Sequence, residues 1–203
     1  MDNVVQQTPH ETQSSPIQLT LEWYQRFQAI SSATLRSYNG PHGTMTPVTE
    51  PISTRPALST DLEFLANVYK GTRQDEMDGW GWPAAQQESF ARMQFQARRM
   101  WYSSMYPDAL ECLIVRGDMP VGSVITRSSA TELRVVDIAI LPEHRNLGIG
   151  GHLISSLVKN AVASNQRFTL SVLRSNPAIR LYERLGLQPR PGRDDAYLEM
   201  EYE

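Results

Sequence analysis

The chain has 203 residues, 40% of them apolar and 20% charged, with a formal net charge of −3. That balance has room for one sizeable folded domain and favours neither nucleic acid nor an anionic membrane as a partner. The single cysteine, Cys112, rules out an intrachain disulfide and a multi-cysteine zinc site.

Cys112 lies in the apolar run 110–115, so an inert buried thiol is expected. The histidines at 10, 42, 144 and 152 show no ligand spacing with carboxylates, and no metal is expected. There is no long apolar span and no basic start followed by an apolar block, so the sequence reads as cytoplasmic.

Residues 1–50 are rich in Gln, Thr, Ser and Pro. Such a composition does not offset chain entropy, and a flexible N-terminal extension, dispensable for folding, is expected. One island stands out at 17–30, with Ile17, Leu19, Leu21, Trp23, Tyr24, Phe27 and Ile30. It reads either as a short amphipathic helix that docks on the domain or on a second subunit, or as a linker.

The folded domain is expected over 51–203. A first strand over 52–58 is followed by a helix capped by Ser59 or Thr60, with Leu62, Leu65, Ala66 and Tyr69 at helical spacing and Gly71 as its end. Residues 71–83 read as a glycine-rich loop bearing Asp75, Glu76, Asp78, Trp80 and Trp82. Pro83 then fits the first turn of a second helix, whose expected buried face is Phe90, Met93, Ala97, Met100 and Trp101. Strands follow at 110–115 and 121–126, joined as a hairpin.

The central stretch is 133–153. An apolar, β-branched run from Leu133 to Leu141 has the composition of a buried strand, and Pro142 stops it. The turn Arg145, Asn146, Leu147, Gly148, Ile149, Gly150, Gly151 opens a helix that continues through Leu153, Ile154, Leu157 and Val158. A helix start offers unpaired N–H groups and the positive end of the dipole, and glycines let a phosphate approach them. Arg145 can add a charge-assisted hydrogen bond. A further strand over 168–173, a short helix capped by Asn176 with Pro177 at its first position, and two last strands around the turn 191–195 complete the order βααβββαβαββ.

Two motifs in this order carry a resemblance. The turn has the spacing Arg-x-x-Gly-x-Gly, and residues 176–186 read Asn-Pro-Ala-Ile-Arg-Leu-Tyr-Glu-Arg-Leu-Gly. Over about 51–203 the chain resembles the GNAT family of acetyl-CoA-dependent N-acetyltransferases. The resemblance implies an α/β (α+β) fold, a mixed, mostly antiparallel sheet flanked by helices. It implies acetyl-CoA as cosubstrate, with no metal. It assigns the pyrophosphate to the turn Arg145–Gly151 and the pantetheine arm to the free backbone of Ile138, Ala139 and Ile140. It makes Tyr182 the group that protonates the leaving thiolate, and it lets Asn176 contact the cofactor as well as cap its helix.

The general base stays open. Asp137 is a carboxylate within an apolar strand, where it is either hydrogen-bonded or used. Glu76, with Asp75 and Asp78, is a rival, because in the family the loop between the first two helices lines the acceptor pocket. A water chain is a third route. The reading is therefore an N-acetyltransferase acting on a primary amine, in a small molecule or a peptide, with no nucleic acid or membrane partner. A homodimer is admitted. The alternative is a GNAT-fold sensor that binds acyl-CoA without transferring it. A Rossmann domain is disfavoured, since the turn lacks Gly-x-Gly-x-x-Gly and no alternating βαβ series precedes it.

Overall fold

The computed structural model describes residues 50–191 and 195–202. The expected extension, with its island at 17–30, and the middle of the turn at 191–195 lie outside the described residues. The elements are strand β1 (Ile52–Pro56), helices α1 (Leu62–Asp78) and α2 (Ala84–Met105), strands β2 (Leu110–Arg116), β3 (Met119–Ser128) and β4 (Glu132–Ile140), helix α3 (Ile149–Ala163), strand β5 (Arg167–Leu173), helix α4 (Ile179–Arg184), and strands β6 (Leu187–Arg190) and β7 (Tyr197–Tyr202). This is the expected order. The strands form one sheet, β1-β2-β3-β4-β5-β7-β6. Every neighbouring pair is antiparallel except β4 with β5. That parallel pair needs a crossover, which α3 supplies.

The main core lies between α3 and one face of the sheet. Leu153, Ile154, Leu157, Val158 and Ala161 recur at helical spacing and pack on Leu133, Val135, Phe168, Leu170, Val172 and Met200. Burial of each large apolar side chain here contributes about 1.5–3 kcal/mol. The other face is read from β2. Cys112 and Ile114 belong to this core, whereas Leu113 between them packs with Leu65 of α1 and Phe95 of α2. Side chains alternate along a strand, so α1 and α2 cover the opposite face. Cys112 is buried as expected, and burial pushes its thiol up to about 12.

Four local expectations need correction. Helix α1 does not end at Gly71 but runs on to Asp78, so Asp75, Glu76 and Asp78 sit on a helix and not in a loop. The glycine serves a close approach: a Cβ there would lie 2.8 Å from Cδ of Pro142. The start of the same segment is tied differently too. Asp61, in a 3₁₀ turn at Ser59–Asp61, accepts from the Leu58 N–H at 2.8 Å and from Arg55 at 2.7 and 2.8 Å.

Helix α2 is turned about its axis relative to expectation. Ala91 and Phe95 are buried, while Met93, Met100, Trp101 and Met105 are 55%, 67%, 53% and 55% exposed. The helix carries two competing stripes, and the buried one is continued by Arg98 and Tyr102, which have partners beneath. Finally, α4 starts at Ile179, three residues after Asn176. Ala178 and not Asn176 holds the cap position, without a side-chain bond; the Asn176 Oδ1 instead accepts from the Ala178 N–H at 2.9 Å, a turn that leads into the helix.

Candidate active site

The site is built where the sheet comes apart. β4 pairs with β5 from Glu132 to Val135, opposite Arg167 to Leu170, and among the described residues no pairing continues beyond. Residues 136–140 therefore keep β3 on one side and face a gap on the other. Backbone N–H and C=O groups along such a gap need partners, and an extended amide-bearing chain supplies them.

A β-bulge sits at the point of separation. Val135 faces Thr126 and Asp137 faces Ile125, which leaves Val136 as the extra residue. Its effect is on parity. Before it, Leu133 and Val135 point into the main core; after it, Ile138 and Ile140 pack there. Asp137 is thereby turned to the face covered by α1 and α2. Bulges re-aim side chains in this way beside functional clefts. Without the extra residue, the odd-numbered Asp137 would follow Leu133 and Val135 into the apolar core, at a cost no buried carboxylate meets unpaired.

On that face Asp137 forms an ion pair with Arg98 of α2. The guanidinium lies between two rings, 5.2 Å from the centroid of Tyr69 and 4.8 Å from that of Tyr102. Burial opposes the charge of Arg98, but Asp137 and Tyr102 outweigh it and hold its pKa above the ordinary value. Burial, and next Asp137, push Tyr102 up. Beside them Arg99 pairs with Glu111 at 2.9 Å, and burial still leaves the Glu111 carboxyl above its usual range.

The opening of α3 forms the second wall. Asn146 and Gly148 adopt left-handed backbone, φ 61° and 80°, and the helix begins at Ile149. The first-turn N–H groups, including those of Ile149, Gly150 and Gly151, have no helical acceptors. A Cβ on Gly150 would meet Ile140 Cδ1 at 3.5 Å and Leu181 Cδ2 at 4.0 Å, ordinary contact distances. So the strand end, the turn and α4 converge here, and the glycine is not demanded by packing. Its bareness fits a ligand that needs to reach the amides. This donor set suits a pyrophosphate, and the strand gap suits the amides of a pantetheine arm.

Arg145 is used partly for architecture. Its Nε donates to the Ile140 carbonyl at 3.0 Å and its Nη2 to the Gly71 carbonyl at 2.8 Å, tying β4 and α1 to the turn. The guanidinium has five N–H donors, so others remain. Leu147 is exposed, His152 is half-buried, and burial followed by Lys159 lowers the histidine's pKa.

Tyr182 of α4 is 6% exposed. Burial first, then the negative charge of Asp137, push its phenol up to about 12. At neutral pH it is a proton-bearing donor. Asn176 is exposed at the entrance to α4.

Glu76 is not gathered into this group. It lies on α1, 48% exposed, paired with Arg73 at 2.8 Å. Asp78 accepts from the Gln74 amide at 2.6 Å on the same helix. The two tryptophans also close on their own surroundings: Trp80, Trp82 and Phe90 have ring centroids 4.7 to 5.4 Å apart at the α1–α2 junction. The residues that sequence reasoning missed are Arg98, Tyr69 and Tyr102. The one available signal was Arg98 and Tyr102 a helical turn apart, in line with Ala91 and Phe95.

Comparisons with known proteins bear on the fold that carries these residues. Residues 108–189 match the family model described as acetyltransferase (GNAT) domain. No curated protein matches the sequence. Among solved structures, the N-acetyltransferase PaiA from Thermoplasma acidophilum, in complex with coenzyme A, aligns with TM-score 0.56 and 19% identity over 75% of this chain and 98% of its own. An acetyltransferase from Streptococcus agalactiae aligns with TM-score 0.52 and 13% identity, covering 74% and 97%. A spermidine N-acetyltransferase chimera involving Vibrio cholerae aligns with TM-score 0.50 and 18% identity, covering 74% and 94%. At these identities the likeness is one of fold.

Proposed function

We propose that the chain, whose residues 108–189 match the family model described as acetyltransferase (GNAT) domain, is an acetyl-CoA-dependent N-acetyltransferase that acts on a primary amine by direct attack on the thioester. The observation that carries this reading is the convergence of the β4–β5 gap, the bare helix start at Gly150 and the buried phenol of Tyr182.

The cosubstrate supplies an activated acetyl thioester. The chain does the rest. Ile138, Ala139 and Ile140 offer strand backbone to the pantetheine arm. Residues 145–151 hold the pyrophosphate with helix-start amides, and Asn176 borders the same entrance. Tyr182 keeps its proton until a thiolate departs and then donates it. An alkylammonium has a pKa near 10, so the acceptor must lose a proton before attack. Asp137 orients the acceptor nitrogen and passes that proton toward solvent, with its carboxylate fixed by Arg98. Glu76, half exposed and paired with Arg73 on α1, is given no role in this reading.

The fold neighbour described as a spermidine N-acetyltransferase supports an amine acceptor as a class. A second reading draws on a specific observation: the Asp137 carboxylate is already engaged by Arg98, as it would be in a module that only binds acyl-CoA. Release of free thiol from acetyl-CoA, followed across a panel of amines, separates the two. Amine-dependent release is expected. Tight CoA binding with no amine raising thiol release would overturn transfer and leave the sensor.

A further inference from the structure

Helix α2 has a second apolar face that the described residues leave more than half exposed, with Trp101 at its end in ring contact with Tyr102 and Tyr106. Met93, Met100, Trp101 and Met105, each more than half exposed, fall at i, i+7, i+8 and i+12, one stripe along the helix. Ala97 lies in the same stripe and is exposed as well. The buried stripe of Ala91 and Phe95 is on the other side. A helix apolar on both sides is built to be covered on both.

We infer that this face is the seat of residues 17–30 of the same chain. Three observations select that occupant. First, 17–30 is the concentrated apolar island of the first fifty residues, with Leu21, Trp23, Tyr24 and Phe27 near its middle. Second, the chain enters the domain close by. Glu50 pairs with Arg116 at 2.9 Å, and Pro51 accepts from the Gly117 N–H at 2.9 Å, at the end of β2. Glu111, five residues back on that strand, is paired with Arg99 of α2. Those five residues span roughly 17 Å of strand.

Third, residues 31–49 are long enough and not too long. As a coil they reach about 25 Å on average, and over 60 Å at full extension by the ~3.3–3.6 Å spanned per residue. A tether matched to its span gives a millimolar effective concentration, which a second copy in dilute solution does not offer. The face itself is rich in methionine, whose unbranched, polarizable side chains adapt to an incoming apolar surface.

Disulfide trapping in the full chain tests this. Tyr24→Cys is combined with Met100→Cys and, separately, with Val162→Cys, a position 59% exposed on α3. The native Cys112 is buried and its thiol held up to about 12, so it does not compete. Under mild oxidation the Met100 pair should close within one chain at least tenfold faster than the Val162 pair, read by thiol loss and monomer mass. Trypsin gives a readout without new cysteines. Cleavage after Arg26 in the full chain should quicken about tenfold in a Met100→Asp, Trp101→Asp variant, while cleavage after Arg36 stays unchanged. Equal closure at both positions, or unchanged cleavage at Arg26, would overturn the assignment. A disulfide-linked dimer as the main product of the Met100 pair would also overturn it, in favour of a second copy on this face.

Discussion

The two halves of the cleft obey the amino-acid sequence to different degrees. On one side stand β4, the turn at 145–151, α3 and α4; on the other, α1 and α2. In the first half the elements named from the sequence lie where the spacing puts them, apart from the late start of α4 and the bulge in β4. In the second, α1 runs through the glycine expected to stop it, and α2 presents its other stripe to the sheet. The family model likewise matches residues 108–189, which include neither α1 nor α2. The difference is one of cause. A left-handed turn at a helix start imposes a local demand on residue type, met here by glycine at 148. The face a helix buries depends on what lies beneath it. Here that is Asp137, which lies about forty residues further along the chain.

The largest effect should come from the first half. Tyr182→Phe keeps the ring and its packing, so coenzyme A should still bind, while turnover falls by about 10²–10⁴ if the hydroxyl acts as general acid. The loss belongs in kcat more than in KM for acetyl-CoA. With the phenol held up to about 12, the wild-type rate should show no decline from its ionisation between pH 8 and 10. Wild-type turnover in the variant would return Tyr182 to the packing residues.

Gly150→Ala should lower coenzyme A affinity tenfold or more, about 1.4 kcal/mol. The added methyl meets only ordinary contacts at 3.5 and 4.0 Å, so the melting temperature without ligand should hardly change. Calorimetric titration beside a thermal melt checks both statements. A large fall in melting temperature would mean that the fold, and not a ligand, needs this glycine.

Gly71→Ala sharpens the comparison from the second half. An exposed helical glycine replaced by alanine gains about 1 kcal/mol. Here the methyl would stand 2.8 Å from Pro142 Cδ, and overpacking costs typically 1–3 kcal/mol. The substitution should therefore lower the melting temperature by a few degrees. A more stable protein would show that α1 does not approach the turn so closely.

Glu76→Gln should do least. Its pair with Arg73 is exposed, worth about 0–1 kcal/mol at most, and amine-dependent thiol release should match wild type. Asp137→Asn in the same assay is the contrast, and it should reduce release. Loss of activity on changing Glu76 would move the acceptor side of the cleft onto the outer surface of α1.

By itself the sequence determined the element order, the strand at 133–141, the glycine turn and the Asn176 to Gly186 segment. Each rests on local rules: apolar period, proline and glycine as stops, and side chains that cap. Tertiary structure alone decided three things. The bulge at Val136 reversed the parity of β4, and only pairing with β3 reveals an extra residue, because Leu133 to Leu141 reads as an unbroken apolar run. Residue 71 is a glycine because Pro142, seventy-one residues later, leaves no room for a side chain there, and a glycine chosen for close approach looks in sequence like one chosen to end a helix. Arg98, which as a sequence is one basic residue on a solvated helix, reached Asp137 between two tyrosine rings because α2 turned that stripe inward. Periodicity says that a helix has an apolar face; the partner beneath decides which face is buried.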